Sequence, residues 1–406
     1  MKRCTKEWRE NNMMKNRWPA AYQVIEKLEY AGFEAYVVGG AVRDFIRGVS
    51  ANDVDVTTNA TPNEVKQLFE HTIDVGIEHG TVLVVVKESI EVTTFRSEDT
   101  YSDFRRPDNV MFVRSLQEDL QRRDFTMNAM ALTKNDELID YFDGRADIKQ
   151  KLIRAVGDPF KRFSEDALRM LRAIRFSAQL DFSLHGNTLE AIEMQHKLID
   201  RVSLERVKVE LEKIWTSNHV GKGMHLFKTS KLAINFPGDW KTYLDKWNRF
   251  LMFENVANGW AFFALMQQSN DINTLLNFYK CSNAEKMHVK QVLLAVEKLK
   301  KGHWTAYDIF QFNEEILIAA AYYAEIILDM NTPYENNDIQ RLKAAIPIAS
   351  SREIAVNGNE LMEWKQEKRG PWIKEVLEKL TIAIVNGQVE NERAQLKEWY
   401  FREYDN

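Results

Sequence analysis

Two aspartates, Asp53 and Asp55, stand one residue apart a short turn after Tyr36-Val37-Val38-Gly39-Gly40-Ala41-Val42-Arg43-Asp44. The order reads as an apolar strand, a Gly-Gly turn, a short helix, then a second strand over Asp53–Val56 carrying both carboxylates. Side chains alternate faces along a strand, so Asp53 and Asp55 are expected on one face and Val54 and Val56 on the other. Carboxylates crowded this way repel unless a cation lies between them. Hard oxygen ligands suit Mg²⁺, which takes one or two carboxylates together with substrate phosphates. The glycine pair lets main-chain N–H groups approach a triphosphate. Together these features point to nucleotidyl transfer. A bare Asp-x-Asp carries little weight, since most are solvated turns or strand edges; the strand and glycine turn ahead of it change that balance. Glu91, at the start of a neighbouring β-rich run with Thr93 and Phe95, is either a third carboxylate of this site or a solvated edge residue.

Two more clusters carry charge. In Gln121-Arg122-Arg123-Asp124-Phe125-Thr126-Met127-Asn128, adjacent arginines can hold a triphosphate or an RNA phosphate by charge-assisted bonds. The bland alternative is a helix start capped by Asp124, with both arginines solvated. Phe125, Met127 and Met130 read as core residues. In Phe163-Ser164-Glu165-Asp166-Ala167-Leu168-Arg169, Ser164 suits an N-cap, and Arg169 is within helical reach of Glu165 and Asp166. A capped helix with a salt bridge explains that spacing. A fixed Asp166–Arg169 pair would also set an acceptor beside donors. Cytosine and adenine both offer an amino donor beside a ring acceptor, whereas uracil and guanine offer the reverse. Such a pair would accept C and A without a template, because a mispaired base leaves buried polar groups unsatisfied.

The elements that must position these residues fall into two kinds. Up to about residue 156 the pattern is mixed. Trp18–Tyr30 is an amphipathic helix, Tyr36–Val38 a strand, and Thr61-Pro62 opens a helix running through Glu70. Thr81–Lys87 and Ile90–Arg96 form a hairpin, 97–109 is a polar loop without periodicity, and Leu138–Phe142 is a last strand. From Asp158 helical periodicity takes over, as in Phe163–Leu180 and Val202–Trp215. Near the end Asn357-Gly358 reads as a turn, Pro371 starts a helix and Asn386-Gly387 stops it. The fold class is α+β: a head with a mainly antiparallel sheet, followed by helices.

Length and composition bound the rest. With 406 residues the chain needs two to four sub-domains. At 45% hydrophobic and 28% charged residues it is an ordinary globular composition. No apolar run approaches the about 18 residues of a membrane span, and no secretory signal is visible ahead of Met13-Met14. Two cysteines, Cys4 and Cys281, exclude a disulfide framework and a Cys-rich metal site, which fits a cytoplasmic protein. The net charge of −5 does not advertise a nucleic-acid binder, yet 145–175 carries nine Lys and Arg against four Asp and Glu. Such an excess fits an RNA end, with salt-dependent binding.

Gly39–Asp44, Asp53-Val54-Asp55, Arg122–Ala129, Glu165-Asp166-x-x-Arg169 and Ser203-Leu204-Glu205-Arg206-x-x-x-Glu210 occur in this order. The succession resembles the bacterial class II tRNA nucleotidyltransferases, specifically the CCA-adding enzymes. Ala355–Gly358, Gly370-Pro371-Trp372 and Val385–Asn391 look like the tail of the same enzymes, and the resemblance runs from about residue 17 onward. It implies a nucleotidyltransferase head (17–156) after an N-terminal extension (1–16), then an all-helical neck (157–217), body (218–325) and tail (326–406). It implies Asp53 and Asp55 as the catalytic, metal-binding carboxylates for two Mg²⁺ ions. The implied nucleotide-binding set is Gly40, Arg43, Arg122, Arg123, Asp124, Asn128, Asp166, Arg169, Arg172 and Arg175. Base selection falls to Glu165, Asp166 and Arg169, steadied by Glu205, Arg206 and Glu210. Asp103, Arg105, Arg106 and Pro107 look like the mobile loop linked to the switch from C to A addition.

The implied activity is template-independent addition of C, C and A to tRNA 3′ ends from CTP and ATP. The partner is the tRNA acceptor arm and 3′ end; no membrane and no protein partner is indicated, and a homodimer is left open. Asn52 and Arg47 depart from the family's usual residues without touching the catalytic positions. The rivals are a CC-adding, A-adding or poly(A)-adding relative, a non-catalytic RNA-binding protein on the same scaffold and, more distantly, a metal-dependent phosphohydrolase. The Asp103–Pro107 loop argues against CC-only addition, and the long tail against a poly(A) polymerase.

Overall fold

The computed structural model describes residues 17–51, 53–76, 80–98, 110–240, 244–253, 255–267 and 271–404. Asn52, the extension 1–16 and the Asp103–Pro107 loop lie outside them. The chain divides into two compact units, Met1–Trp240 and Lys241–Asn406.

The first unit is built on a seven-stranded sheet of β1 (Ala35–Val38), β2 (Asp55–Thr58), β3 (Thr72–Gly76), β4 (Thr81–Val85), β5 (Ser89–Thr94), β8 (Met130–Leu132) and β9 (Leu138–Asp140). Their order across the sheet is β3-β4-β5-β2-β1-β8-β9. All neighbours are antiparallel except β2 and β5. Along β5 the buried residues Ile90, Val92 and Thr94 alternate with exposed Ser89 and Glu91, so the period-2 pattern fixes which face meets the core. The Pro19–Tyr30 helix buries Ala20, Ala21, Val24, Ile25 and Leu28, and it packs against the sheet. Thr61 and Glu64 close a capping box at the start of Pro62–Leu68. Phe125, Met127 and Met130 are wholly buried, as expected of core residues.

Four expectations change. Asp53 precedes β2 rather than lying in it, so its position beside Asp55 comes from the approach of the chain to the strand and not from strand alternation. β3, unforeseen because Thr72–Gly76 is largely exposed, forms an edge of the sheet. The supposed loop starts as strand: β6 (Arg96–Glu98) pairs with β7 (Val110–Phe112). The helix drawn over Phe163–Leu180 is two helices, Pro159–Glu165 and Leu168–Leu180. Ser164 therefore caps nothing; its hydroxyl bonds back to the Phe160 carbonyl at 2.9 Å. Asp166, extended at φ −138°, accepts from the Leu168 N–H at 3.0 Å and so starts the second helix.

A short parallel pair, β10 (Leu152–Ile153) with β11 (Ser183–Leu184), closes behind the helices. Leu204–Trp215 and Val220–Thr229 pack against Leu168–Leu180, and the first unit closes with them and the turn that follows.

The second unit is helical throughout its described residues. Ala257–Gln267 is buried on all sides from Ala257 to Met266, as befits a central helix, and packs against Asn283–Lys300 and Glu314–Leu328. Phe262 is the hub of an aromatic cluster, 4.9 Å from Trp247, 4.8 Å from Phe250 and 5.0 Å from Tyr323 between ring centroids. A separate core joins Gly358–Lys365, Trp372–Val385 and Arg393–Tyr404 around Leu361, Leu380, Ile384 and Leu396. Asn357 is the N-cap of the first of these, its side chain accepting from Asn359 and Glu360, so Asn357-Gly358 begins a helix rather than forming a free turn. Asn386-Gly387 does end its helix, with Gly387 at φ +68°.

Candidate active site

The register of β1 against β2 pairs Val38 with Asp55. That pairing sets Asp55 beside the residue where the chain leaves β1 for Gly39. Gly39 turns at φ +73° and ψ −135°, a sparsely populated region that costs a residue with a side chain about 1–3 kcal/mol. A Cβ there would stand 3.4 Å from Arg123 Nη1 and 3.8 Å from Asp55 Oδ2, both ordinary contacts, so the backbone turn rather than space calls for glycine, and Arg123 stands close to the acid pair.

A cavity of about 680 Å³ opens at this point. Gly39, Gly40, Arg43, Asp53, Asp55, Arg122, Arg123, Asp124, Asn128, Asp166, Arg169, Arg172 and Arg175 line it, with Arg96, Leu168, Phe176, Gln179 and Arg206. Every residue proposed to bind nucleotide or metal thus faces one space. Glu165, proposed for base selection, is not among its lining residues. Asp55 also borders a smaller cavity of about 170 Å³ with Glu91 and Thr93.

Charges in this space are held by specific partners. Burial pushes the Asp55 carboxyl up to about 6, with Asp53 and Glu91 adding repulsion and Arg123 opposing it. A cation between Asp53 and Asp55 would relieve that crowding, so the pair fits Mg²⁺. Among the described residues no three His, Cys, Asp or Glu side chains form a metal cage, which leaves Glu91 as a neighbour of the pair.

Asp124 is buried and receives Arg172 Nε at 2.9 Å and Nη2 at 2.5 Å, the Phe125 N–H at 2.8 Å and Asn128 Nδ2 at 3.3 Å. Burial alone would raise its carboxyl; the Arg172 guanidinium and these bonds hold it at about 2. Asn128 Oδ1 in turn accepts from Arg43 Nη1 at 2.9 Å, and Arg43 forks onto Asp44 at 3.0 and 2.9 Å. Arg43, Arg172 and Arg175 surround the Phe176 ring at 5.5, 5.5 and 4.2 Å from its centroid.

On the segment expected to select the base, Asp166 and Arg169 are steadied separately. Arg206 Nη2 donates to Asp166 Oδ2 at 2.8 Å. Arg169 Nη1 donates to Glu165 Oε2 at 3.0 Å and Nη2 to the Arg122 carbonyl at 3.0 Å. Glu165 also takes Arg162 at 2.6 Å, which makes it a clamp behind the cavity wall. Buried Glu210 pairs with Arg175 at 3.0 Å, whereas Glu205 is exposed.

The basic excess over 145–175 is partly internal. Arg154, Arg162, Arg169, Arg172 and Arg175 make ion pairs within the chain, while Arg145, Lys149, Lys151 and Lys161 are exposed.

Sequence reasoning missed Asp119, Arg96, Phe176 and Gln179. Asp119 sits three and four residues before Arg122 and Arg123, and Phe176 four after Arg172, so helical spacing held the signal.

Three family models match the chain: "Poly A polymerase head domain" over 35–154, "Probable RNA and SrmB- binding site of polymerase A" over 181–238, and tRNA nucleotidyltransferase domain 2 over 251–400. The CCA-adding enzyme of Bacillus cereus is 39% identical over 396 residues, 94% of this chain and 98% of that protein. That of Bacillus anthracis is 40% identical over 393 residues, with the same shares. The solved Bacillus stearothermophilus CCA-adding enzyme, in complex with CTP, superposes with a TM-score of 0.85 at 33% identity, covering 96% of this chain and 98% of that one. The Thermotoga maritima CCA-adding enzyme complexed with tRNA shares the fold, with a TM-score of 0.60 at 20% identity over 93% of each chain.

Proposed function

The chain belongs to the CCA-adding enzymes, and from that membership we propose how its own residues carry out the activity. It adds C, C and A to the 3′ end of tRNA from CTP and ATP without a nucleic-acid template. The observation that carries the assignment of roles is the single cavity that gathers the acid pair, the arginines and the Asp166–Arg169 segment.

In the reaction the tRNA 3′-hydroxyl attacks the α-phosphorus of the nucleotide and pyrophosphate leaves. Asp53 and Asp55 are the ligands for Mg²⁺, two ions in our reading, which when bound supply Lewis-acid stabilisation of the hydroxyl and the leaving group. Arg122 and Arg123 bind the triphosphate, with Arg43 near the Gly39-Gly40 turn. Asp124 and Asn128 orient the ribose and are themselves fixed by Arg172 and Arg43. Asp166 presents the acceptor and Arg169 the donors for a cytosine or adenine edge. Their partners Arg206 and Glu165 hold them in place before the base arrives, which lowers the ordering cost of selection.

The finer division into head (17–156), neck (157–217), body (218–325) and tail (326–406) is part of this proposal. So is the tRNA contact: the acceptor arm is recognised by shape, and its 3′ end is drawn in past the exposed Lys149, Lys151 and Lys161. Among the described residues no helix is long and apolar enough to cross a membrane. We place the protein in the cytoplasm, with its tRNA substrate.

The test offers purified protein and Mg²⁺ a tRNA transcript ending at the base before CCA, with each nucleotide singly and then CTP with ATP. Two additions with CTP and a single third with both nucleotides support the reading. A stop after two C indicates a CC-adding relative, a long A ladder a poly(A) polymerase, and no extension a non-catalytic binder.

A further inference from the structure

We propose that Asp119, a residue that touches neither cavity, is the positioning residue that makes the Arg122–Arg123 pair selective for a triphosphate. The inference rests on the reading of those two arginines as the triphosphate site.

Asp119 lies on the Leu116–Gln121 helix with its side chain fully buried. Its Oδ1 accepts from Arg122 Nε at 3.0 Å and Nη2 at 2.8 Å, and its Oδ2 accepts from Arg123 Nη2 at 3.1 Å. Oδ1 also lies 3.4 Å from the Arg96 N–H. One carboxylate therefore holds both guanidiniums and the start of β6, and Arg96, Arg122 and Arg123 all line both the main cavity and the smaller one. Burial works against the charged form, yet the two guanidiniums keep the Asp119 carboxyl below the usual range, so the charge persists.

The geometry of Arg123 gives this hub a consequence. With Nη2 committed to Asp119, Nη1 is turned toward Gly39 and the Asp55 side of the cavity. Two arginines adjacent in sequence would otherwise repel and spread over several rotamers. Arg side chains lose about 2 kcal/mol of rotamer entropy when fixed, and a partner that fixes them in advance removes that cost from ligand binding. Asp119 thus prepares two guanidiniums for the β- and γ-phosphates, while contributing nothing to a nucleoside monophosphate.

The experiment compares equilibrium binding of CTP and CMP to the wild type and to Asp119→Asn, a change of similar shape that removes the charge and turns one of the two accepting oxygens into a donor. CTP affinity is expected to fall about tenfold to a hundredfold, the cost of loosening charge-assisted bonds, with CMP affinity unchanged. In tRNA extension the KM for CTP and ATP rises more than kcat falls. An equal loss for CTP and CMP, or a lowered binding stoichiometry alone, would mean that Asp119 merely supports the fold, and overturns the proposal. Where Asp119→Asn folds, Arg123→Ala and the double variant complete a cycle: coupled effects on CTP affinity support action through Arg123, and additive effects refute it. Should Asp119→Asn fold poorly, Asp119→Glu, which keeps the charge but displaces it from the two guanidiniums, is measured instead; a loss for CTP with none for CMP supports the proposal, and an equal loss for both overturns it. Failure of the wild type to bind CTP or extend tRNA would instead sink the underlying reading.

Discussion

Arg169 donates to the main-chain carbonyl of Arg122 at 3.0 Å across 47 residues of sequence. The contact joins the segment proposed to select the base to the segment proposed to hold the phosphates. Arg162 adds a second tie, from Nη1 to the Gln121 carbonyl at 3.3 Å. A main-chain acceptor cannot change rotamer, so Arg169 is held by backbone on one side and by Glu165 on the other. The two parts of the proposed nucleotide site are registered to one another before substrate enters.

Arg169→Ala removes both the donors proposed to read the base and this tie. The ratio of UTP to CTP incorporation should rise about tenfold or more, since unpaired polar groups no longer penalise the wrong base. Single-nucleotide kinetics on a tRNA ending before CCA measure it. Discrimination that stays at the wild-type level would refute the pairing role of Arg169.

Asp53→Ala should abolish addition of every nucleotide while tRNA binding, measured by filter retention or anisotropy, stays near the wild-type level. Turnover persisting in that variant would exclude Asp53 from the metal site.

The Asp55 carboxyl predicts a pH-dependent response to metal. Its folded-state value is raised from 3.8 to about 6 by burial, Asp53 and Glu91. Between those values the folded state holds a proton that the unfolded state has lost. Metal-free protein should therefore lose stability as pH rises from about 4 through about 6. Mg²⁺ competes with that proton, so the rise in Tm on adding Mg²⁺ should be larger at pH 7.5 than at pH 5. A metal-induced shift that is flat with pH would contradict the assignment.

Gly39→Ala places a methyl group 3.4 Å from Arg123 Nη1 in a backbone at φ +73°. That separation is ordinary van der Waals contact, so the penalty lies in the backbone, which an alanine relieves only by rotating the turn beside Asp55. We expect kcat to fall at least about tenfold against a stability loss of about 1–3 kcal/mol. Equal activity would show that the turn has room to spare.

In the second unit, His288 Nε2 meets Asn258 Oδ1 at 2.8 Å and Nδ1 faces Asn255 Nδ2 at 3.1 Å. Asn258 Nδ2 is committed to Glu315 at 2.8 Å, and Asn255 Oδ1 to the Ala257 N–H at 2.9 Å. These partners fit a neutral imidazole with its proton on Nε2, and burial lowers the His288 pKa below its ordinary 6.5 against the pull of Glu315. The stability contributed by the neutral ring is full above 6.5 and is lost as pH falls below it. Tm should drop between pH 7.5 and pH 5.5 in the wild type and drop less in His288→Gln. Parallel profiles would disprove the link.

Much of the site was legible because its motifs are local. Gly39-Gly40, the Asp-x-Asp pair and the Arg122–Asn128 run occupy continuous stretches, and the resemblance to a known family rests on their order. The strand pattern of β4 and β5 was legible because period-2 alternation survives wherever one face is buried. β3 was not, since an edge strand with exposed Ile73 and Val75 shows no such alternation. The break at Asp166 was hidden because apolar residues keep helical spacing on both sides of it.

The chain order by itself determined which chemistry was available: two acids beside a glycine turn, paired arginines, and an acid–arginine segment. It also determined the Asp119–Arg122 contact, three residues apart at the end of one helix, because helix geometry alone brings those side chains together; the Glu165–Arg169 pair, although four apart, meets across the break between two helices. Only the tertiary structure decided that Arg172 would serve Asp124, Arg206 would serve Asp166 and Glu210 would serve Arg175. Several arginines and carboxylates compete for one another in that space, and their charges alone do not rank the pairings. The choice falls to which helix faces pack against the head, and packing is settled by the buried residues between the pairs.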